Sequence, residues 1–316
     1  MPDNKEIYRQ LEPKCLPIFH KPFFLNSVVK DNWDVIPIVV ENKIVACLPY
    51  TIQQIKGYKN FTQPPMAQFL GPWIDAGYLI KDKVRKQKKI MNELYDRLPA
   101  CSSYLQNWSP DIDNWLPLYW KGYSQTTKYT NVISDLTDLN TVWEHFDSDV
   151  KRRIRKSEEK FKVQPHEDFE VFFNVLEDSF NRKGAKNPLK CEIFSSMDGA
   201  CSQNLCRKML VAKDTAGNIA GGIYLIWDSR SVYYMAGGFT AGNSDVMCLL
   251  IWEGIKLAAS MKLQFDFEGS MIESIEHFFR SFGPVQKPYF TVSKINSRKI
   301  KIIDNIKSIQ KAILNK

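Results

Sequence analysis

Two acidic residues stand two positions apart in the segment LQFDFEG. Read as a strand, the segment turns Leu263, Phe265 and Phe267 one way and Gln264, Asp266 and Glu268 the other. Strand geometry then sets the two carboxylates about 7 Å apart. Partial burial of such a pair raises one pKa toward neutrality, which suits a general base for an ammonium nucleophile. The competing expectations are a solvent-facing side of an antiparallel sheet and a carboxylate bonded to nearby backbone. Tyr233 and Tyr234 lie on the preceding strand, on opposite faces, so one of them can share a cleft with the acids. A tyrosine hydroxyl there could protonate a leaving thiolate or ribose oxygen, or bind the acceptor. An amphipathic core residue is the plainer expectation.

Gly237, Gly238 and Gly242 punctuate a stretch that runs through Asn243 and Ser244 into an apolar helix. Free backbone N–H groups and the positive end of the helix dipole could hold a phosphate or carbonyl oxygen there. An ordinary bulge or turn is the alternative. Arg182 and Lys183, at a helix end in NRKGAKNP, could clamp a phosphate or carboxylate, or cap the helix together with Gly184. Arg153 and Lys156 share one face of a basic helix, suited to a nucleotide or RNA backbone, and Arg152 and Arg155 share another. Asp111 and Asp113 form a DxD that reads as a turn cap rather than a metal site. No histidine has a partner at metal or triad spacing, and no CxxC occurs, so no metal is expected. The seven scattered cysteines read as free thiols.

The elements that must position these groups come from a chain of 316 residues, the length of two ordinary domains. The longest apolar run, Met247 to Trp252, is far short of a bilayer span, and MPDNKEIYRQLEPK has no secretory apolar core, so a cytoplasmic protein is expected. The net charge of +8 is concentrated in three blocks: residues 81–97, 149–162 and the tail 294–316. Such blocks attract an anionic ligand, or a peripheral acidic surface. Within the first two, only Tyr95 and Phe161 are aromatic, which argues against sequence-specific nucleic-acid recognition.

Strands are expected at WDVIPIVV and KIVACLPYTI. A basic helix follows over about 82–98, with Val84, Ile90, Met91, Leu94 and Leu98 as its apolar stripe. After a long helical segment at 138–161 come helices at 169–182 and 193–206. Three strands follow as a meander (KMLVAKD, NIAGGIYLIWD, SVYYMAGGF), and then the apolar helix, with Ser244 or Asp245 as N-cap. The step SVYYMAGGF–helix–LQFDFEG is a crossover between parallel neighbours.

Four segments carry a family resemblance: FLGPWID at 69–75, YTNVISDL followed by DVKRRIRKSEEK, DSFNRKG at 178–184, and FDFEGSMIESIEHFFRSFG at 265–283. In order and spacing the chain resembles the Fem-type aminoacyltransferases, tandem-GNAT enzymes, and related bacterial GNAT proteins. The resemblance implies an α+β fold of two GNAT-like domains, 1–140 and 141–316, each a mixed, mostly antiparallel sheet flanked by helices. It also implies transfer of an acyl or aminoacyl group from acyl-CoA or aminoacyl-tRNA to an amine of an anionic, cell-envelope or nucleotide-linked acceptor. The coiled-coil arm of some Fem proteins is absent, and AGGFTAGNSD stands where the usual coenzyme-A loop would be. On this reading Asp266, Glu268 and Tyr234 are catalytic, and Gly237, Gly238, Gly242, Asn243 and Ser244 hold the donor. Arg182, Lys183, Tyr233, Arg153 and Lys156 bind substrate. The alternatives are a non-enzymatic module that binds RNA or another polyanion, and a metal-dependent glycosyltransferase using Asp111 and Asp113.

Overall fold

The computed structural model describes residues 3–80, 82–297 and 299, so most of the basic tail lies outside the described residues. The chain folds as two compact units, the first made of residues up to 13, 19–128 and from 289 on, the second of 14–18 and 129–288. The expected boundary at 140 differs from this division because the last strand pairs within the first unit.

The first unit opens with α1 (Asn4–Gln10) and α2 (Pro22–Val29), neither expected from sequence. Next come β1 (Trp33–Val40), β2 (Lys43–Ile55), β3 (Tyr58–Thr62) and the short β4 (Trp73–Ile74). The basic helix α3 (Lys83–Asp96), β5 (Ser103–Asn107) and α4 (Leu116–Trp120) complete its continuous part. Ile90, Met91, Leu94 and Tyr95 of α3 are buried as its periodicity requires, but Val84 is exposed.

The second unit starts within β6 (Ser124–Ile133), at Tyr129, and runs through α5 (Leu139–Glu144), α6 (Ser148–Glu158), β7 (Lys162–His166), α7 (Phe169–Arg182) and α8 (Cys191–Gln203). It continues with β8 (Arg207–Lys213), β9 (Ile219–Trp227), β10 (Ser231–Phe239), α9 (Val246–Ser260), β11 (Gln264–Asp266) and α10 (Glu273–Arg280). The long helix expected over 138–161 is therefore two helices. Between them Phe146 turns into the core and the Asp147 N–H bonds the Ser281 carbonyl at 2.9 Å, which takes the backbone out of the helical ladder. Finally β12 (Val285–Ile295) pairs antiparallel with β5 from Thr291 to Ile295, and its Val292 is wholly buried in the first unit's core.

The first unit's strands lie in the order β1-β2-β3-β5-β12, antiparallel except for the β3–β5 pair. The second unit's order is β6-β11-β10-β9-β8-β7, with β10–β11 parallel and joined by α9 as the crossover rule requires. β9 is a continuous apolar run because helices cover both its faces. Gly221 and Gly222 let them approach: a Cβ on Gly221 would meet Val246 of α9 at 2.7 Å, and one on Gly222 would meet Phe172 of α7 at 3.2 Å. Ten residues of α9 are buried, so this helix is the core of the unit. All seven cysteines are free. Among the described residues no helix is long and apolar enough to cross a membrane.

Candidate active site

The parallel pair β10–β11 is short. Its register is Ser231↔Gln264, Val232↔Phe265 and Tyr233↔Asp266, and there β11 stops while β10 continues to Phe239. Against β9, β10 carries a bulge at Met235, between the pairs Tyr234↔Leu225 and Ala236↔Tyr224. From Tyr234 onward the edge of β10 turned toward β11 has no strand beside it among the described residues.

A cavity of about 460 Å³ occupies this gap. Tyr234, Gly237 and Phe239 of β10 form one wall, and Ser244 and Met247 at the start of α9 form another. Phe180 and Lys183 at the end of α7, Arg153 of α6, and Ile275, Phe278 and Phe279 of α10 complete it. The lining is mostly apolar, with two cations and three serines, Ser179, Ser244 and Ser274.

Tyr234 is the polar group most directly set in that wall. Its ring packs edge-on against Phe279 at 5.8 Å, and any side chain on Gly237 would strike its hydroxyl. Gly237 is thus small so that the tyrosine hydroxyl can lie over the strand. Among the described residues that hydroxyl has no hydrogen-bond partner, and burial raises its pKa far above the usual value. It stays protonated and can donate. Tyr233 points the other way, 1% exposed, and donates to Asp228 Oδ2 at 3.0 Å. The expectation that it binds substrate fails for that reason.

The acidic pair differs from the expected pair. The strand ends at Asp266, so the alternation does not reach Glu268, whose φ is +59°. Asp266 is 4% exposed and accepts from Thr130 Oγ1 at 2.6 Å and from the Glu268 backbone N–H at 2.8 Å. It holds the turn that ends β11. Glu268 Oε1 is buried with no hydrogen-bond partner among the described residues. Desolvation, and then the neighbouring Asp266 charge, push the Glu268 pKa well above the ordinary carboxylate range. Neither acid is among the residues lining the cavity. Both the raised pKa and its two expected causes are present, but the group that carries it lies outside the cavity lining.

The glycine-rich stretch divides in two. Gly237 and Gly238 belong to β10, and a Cβ on Gly238 would lie 2.9 Å from Leu176 Cα, so that glycine admits α7. Gly242 (φ +78°) makes the turn, and Asn243 Nδ2 donates to Thr240 Oγ1 at 2.9 Å within it. The N–H groups of Val246 and Cys248 bond Asn243 and Asp245 carbonyls at 3.1 Å. Asp245 makes no side-chain cap; its carboxylate instead receives Arg153 Nε at 2.8 Å and Lys156 Nζ at 3.0 Å. These two cations hold the Asp245 pKa below its usual value. Arg153 and Lys156, expected to bind substrate, are therefore engaged by this chain's own carboxylate. Only Arg153 and Ser244 of that group reach the cavity.

Arg182 donates to the Phe239 carbonyl and lies over the Phe239 ring at 5.2 Å, fastening the end of α7 to the end of β10. Lys183 sits 5.8 Å over the same ring and lines the cavity. Asp113 binds Lys83 at 2.9 Å, and Asp111 accepts from Ser109 at 3.1 Å; both serve the turn before α4. Sequence reasoning missed Met247, Phe180 and the aromatic pair Phe278–Phe279. The FF of EHFFRSF was a visible signal, but it had no partner until α10 was placed against Tyr234.

Residues 145–273 match the family described as "Acetyltransferase (GNAT) domain". No curated protein matches the chain. Among solved structures, FemX is similar over 96% of this chain and 98% of its own, at 9% identity and a TM-score of 0.71. L-PGS from Bacillus licheniformis is similar over 95% of this chain and 92% of its own, at 10% identity and a TM-score of 0.53. At such identities the likeness is one of fold, and it extends over both units.

Proposed function

We propose that this chain, which carries a GNAT acetyltransferase domain over residues 145–273, transfers an acyl or aminoacyl group to an amine in the cavity where β10 and β11 part. The observation that carries the reading is Tyr234: a protonated hydroxyl without a partner, in a cavity wall beside an unpaired strand edge. The amine nitrogen forms a bond to the donor carbonyl carbon, and backbone N–H groups of the open edge stabilise the developing oxyanion. The bond from that carbon to the carrier breaks, and Tyr234 Oη gives its proton to the departing atom. The proton lost by the nucleophile leaves to water and the tyrosine is reprotonated from water.

The expected base is reassigned on this reading. Asp266 is engaged by two donors and neither acid lines the cavity, so the amine loses its proton outside the pair. Lys183 at the wall, which has no carboxylate partner among the described residues, suits an acceptor or carrier bearing a negative charge. The donor is acyl-CoA or an aminoacyl-tRNA. At the start of α9 Arg153 and Lys156 are already bonded to the Asp245 carboxylate, so a coenzyme-A pyrophosphate there would compete with that carboxylate for the two cations. An acceptor of the cell-envelope or nucleotide-linked kind fits the cationic wall.

The test is isothermal titration of the whole chain with acetyl-CoA, free CoA and aminoacylated RNA, followed by product analysis with an amine acceptor. The reading stands if one donor binds and Tyr234→Phe keeps that binding while losing turnover. Unchanged turnover in Tyr234→Phe overturns the assigned site. Salt-sensitive binding of every polyanion without any turnover supports the non-enzymatic alternative.

A further inference from the structure

The basic helix α3 has no part in the cavity, and its surroundings differ from what its sequence suggests. Residues 81–97 contain a single aromatic, but the fold brings two more from α4. Lys88 Nζ stands 4.6 Å over the ring of Trp120. Leu116, Tyr119 and Trp120 fall at helical spacing on one face of α4, and all three are exposed, at 46%, 59% and 58%. Val84, one turn before Lys88 on α3, is 68% exposed, although the apolar periodicity assigns it to the core stripe. Lys88 and Lys89 are exposed and have no carboxylate partner among the described residues. Arg85 has only the marginal contact with Asp82 at 4.0 Å.

This patch lies wholly in the first unit and combines exposed aliphatic, tyrosine, tryptophan and lysine side chains. A scattered exposed leucine would mean nothing; a contiguous set around a cation–π pair does. We infer that the α3–α4 face is a docking surface for a membrane leaflet containing anionic lipid. Aromatic rings with amphipathic character settle at the headgroup level, aliphatic side chains enter the acyl boundary, and lysines meet lipid phosphates. The aliphatic component distinguishes this surface from a single-strand nucleic-acid platform, which needs ring faces and cations but gains little from Val84 and Leu116.

The experiment is vesicle sedimentation of the full chain, with phosphatidylcholine alone and with phosphatidylcholine mixed with phosphatidylglycerol, at low and moderate salt. Binding is expected only to the phosphatidylglycerol mixture, and to weaken with salt. Each lysine near an anionic surface contributes about five-fold, so Lys88→Gln with Lys89→Gln lowers the partition coefficient roughly 25-fold. Tyr119→Ser with Trp120→Ser lowers it about ten-fold or more. Both lysines are exposed, so the first variant folds whether or not the aromatic one does; matching melting curves verify this. Full vesicle binding by the lysine variant overturns the inference, as does failure of the parent chain to bind any vesicle. A single-stranded oligonucleotide bound through the same residues, with vesicles ignored, overturns it in favour of nucleic acid.

Discussion

Tyr234 and Glu268 show how differently two buried polar groups behave in one unit. The Tyr234 hydroxyl has no bond to lose, so Tyr234→Phe leaves the melting temperature nearly unchanged while single-turnover transfer slows on the order of 100-fold. Glu268 affects stability through pH. Its folded pKa is raised, chiefly by desolvation and then by Asp266, so the folded state holds a proton that the unfolded chain has released above about pH 4.3. Stability is therefore intact at acid pH and falls as pH rises through the window between the two pKa values. Glu268→Gln removes that titration. The variant should gain in melting temperature relative to the parent at pH 7, with the gain disappearing near pH 4. A gain independent of pH would mean that the charge is not the cause.

At the scale of elements, two contacts set the cavity. Gly238 lets α7 lie against β10, and a methyl there would press on the Leu176 and Val175 backbone at 2.9 and 3.0 Å. Gly238→Ala should destabilise the chain by about 1–3 kcal/mol in urea titration, since backbone on both sides cannot yield as a side chain can. The start of α9 is set by Asp245 between Arg153 and Lys156. Asp245→Asn removes the charge that opposes an anion at this helix end. Affinity for free CoA should then rise about five-fold by calorimetry. No rise would show that the carboxylate does not control the donor.

For the whole molecule, the return of β12 to the first unit is the decisive feature. Val292 is buried in that unit's core and β12 supplies the antiparallel partner of β5. A fragment of residues 1–140 lacks this strand and exposes the β5 edge. It should not unfold cooperatively when followed by circular dichroism, whereas the full chain should. A cooperative transition in the fragment would place the boundary where the sequence suggested.

The amino-acid order by itself determined what depends on near neighbours. The periodicity of α3 and α7, the β8–β10 meander with its short turns and the α9 crossover all follow from spacings of a few residues. The family resemblance follows from the same local order. The tertiary structure decided everything that joins distant positions. It decided which acid carries the raised pKa: Asp266 ends β11 and takes two donors, whereas Glu268, two residues further on, is desolvated beside it. Arg153 met Asp245 from 92 positions away, and Trp120 came beneath Lys88, neither of which any local pattern encodes. Side-chain alternation and helical stripes are properties of a segment; a salt bridge, an open strand edge and a shared surface exist only once separate segments are packed together.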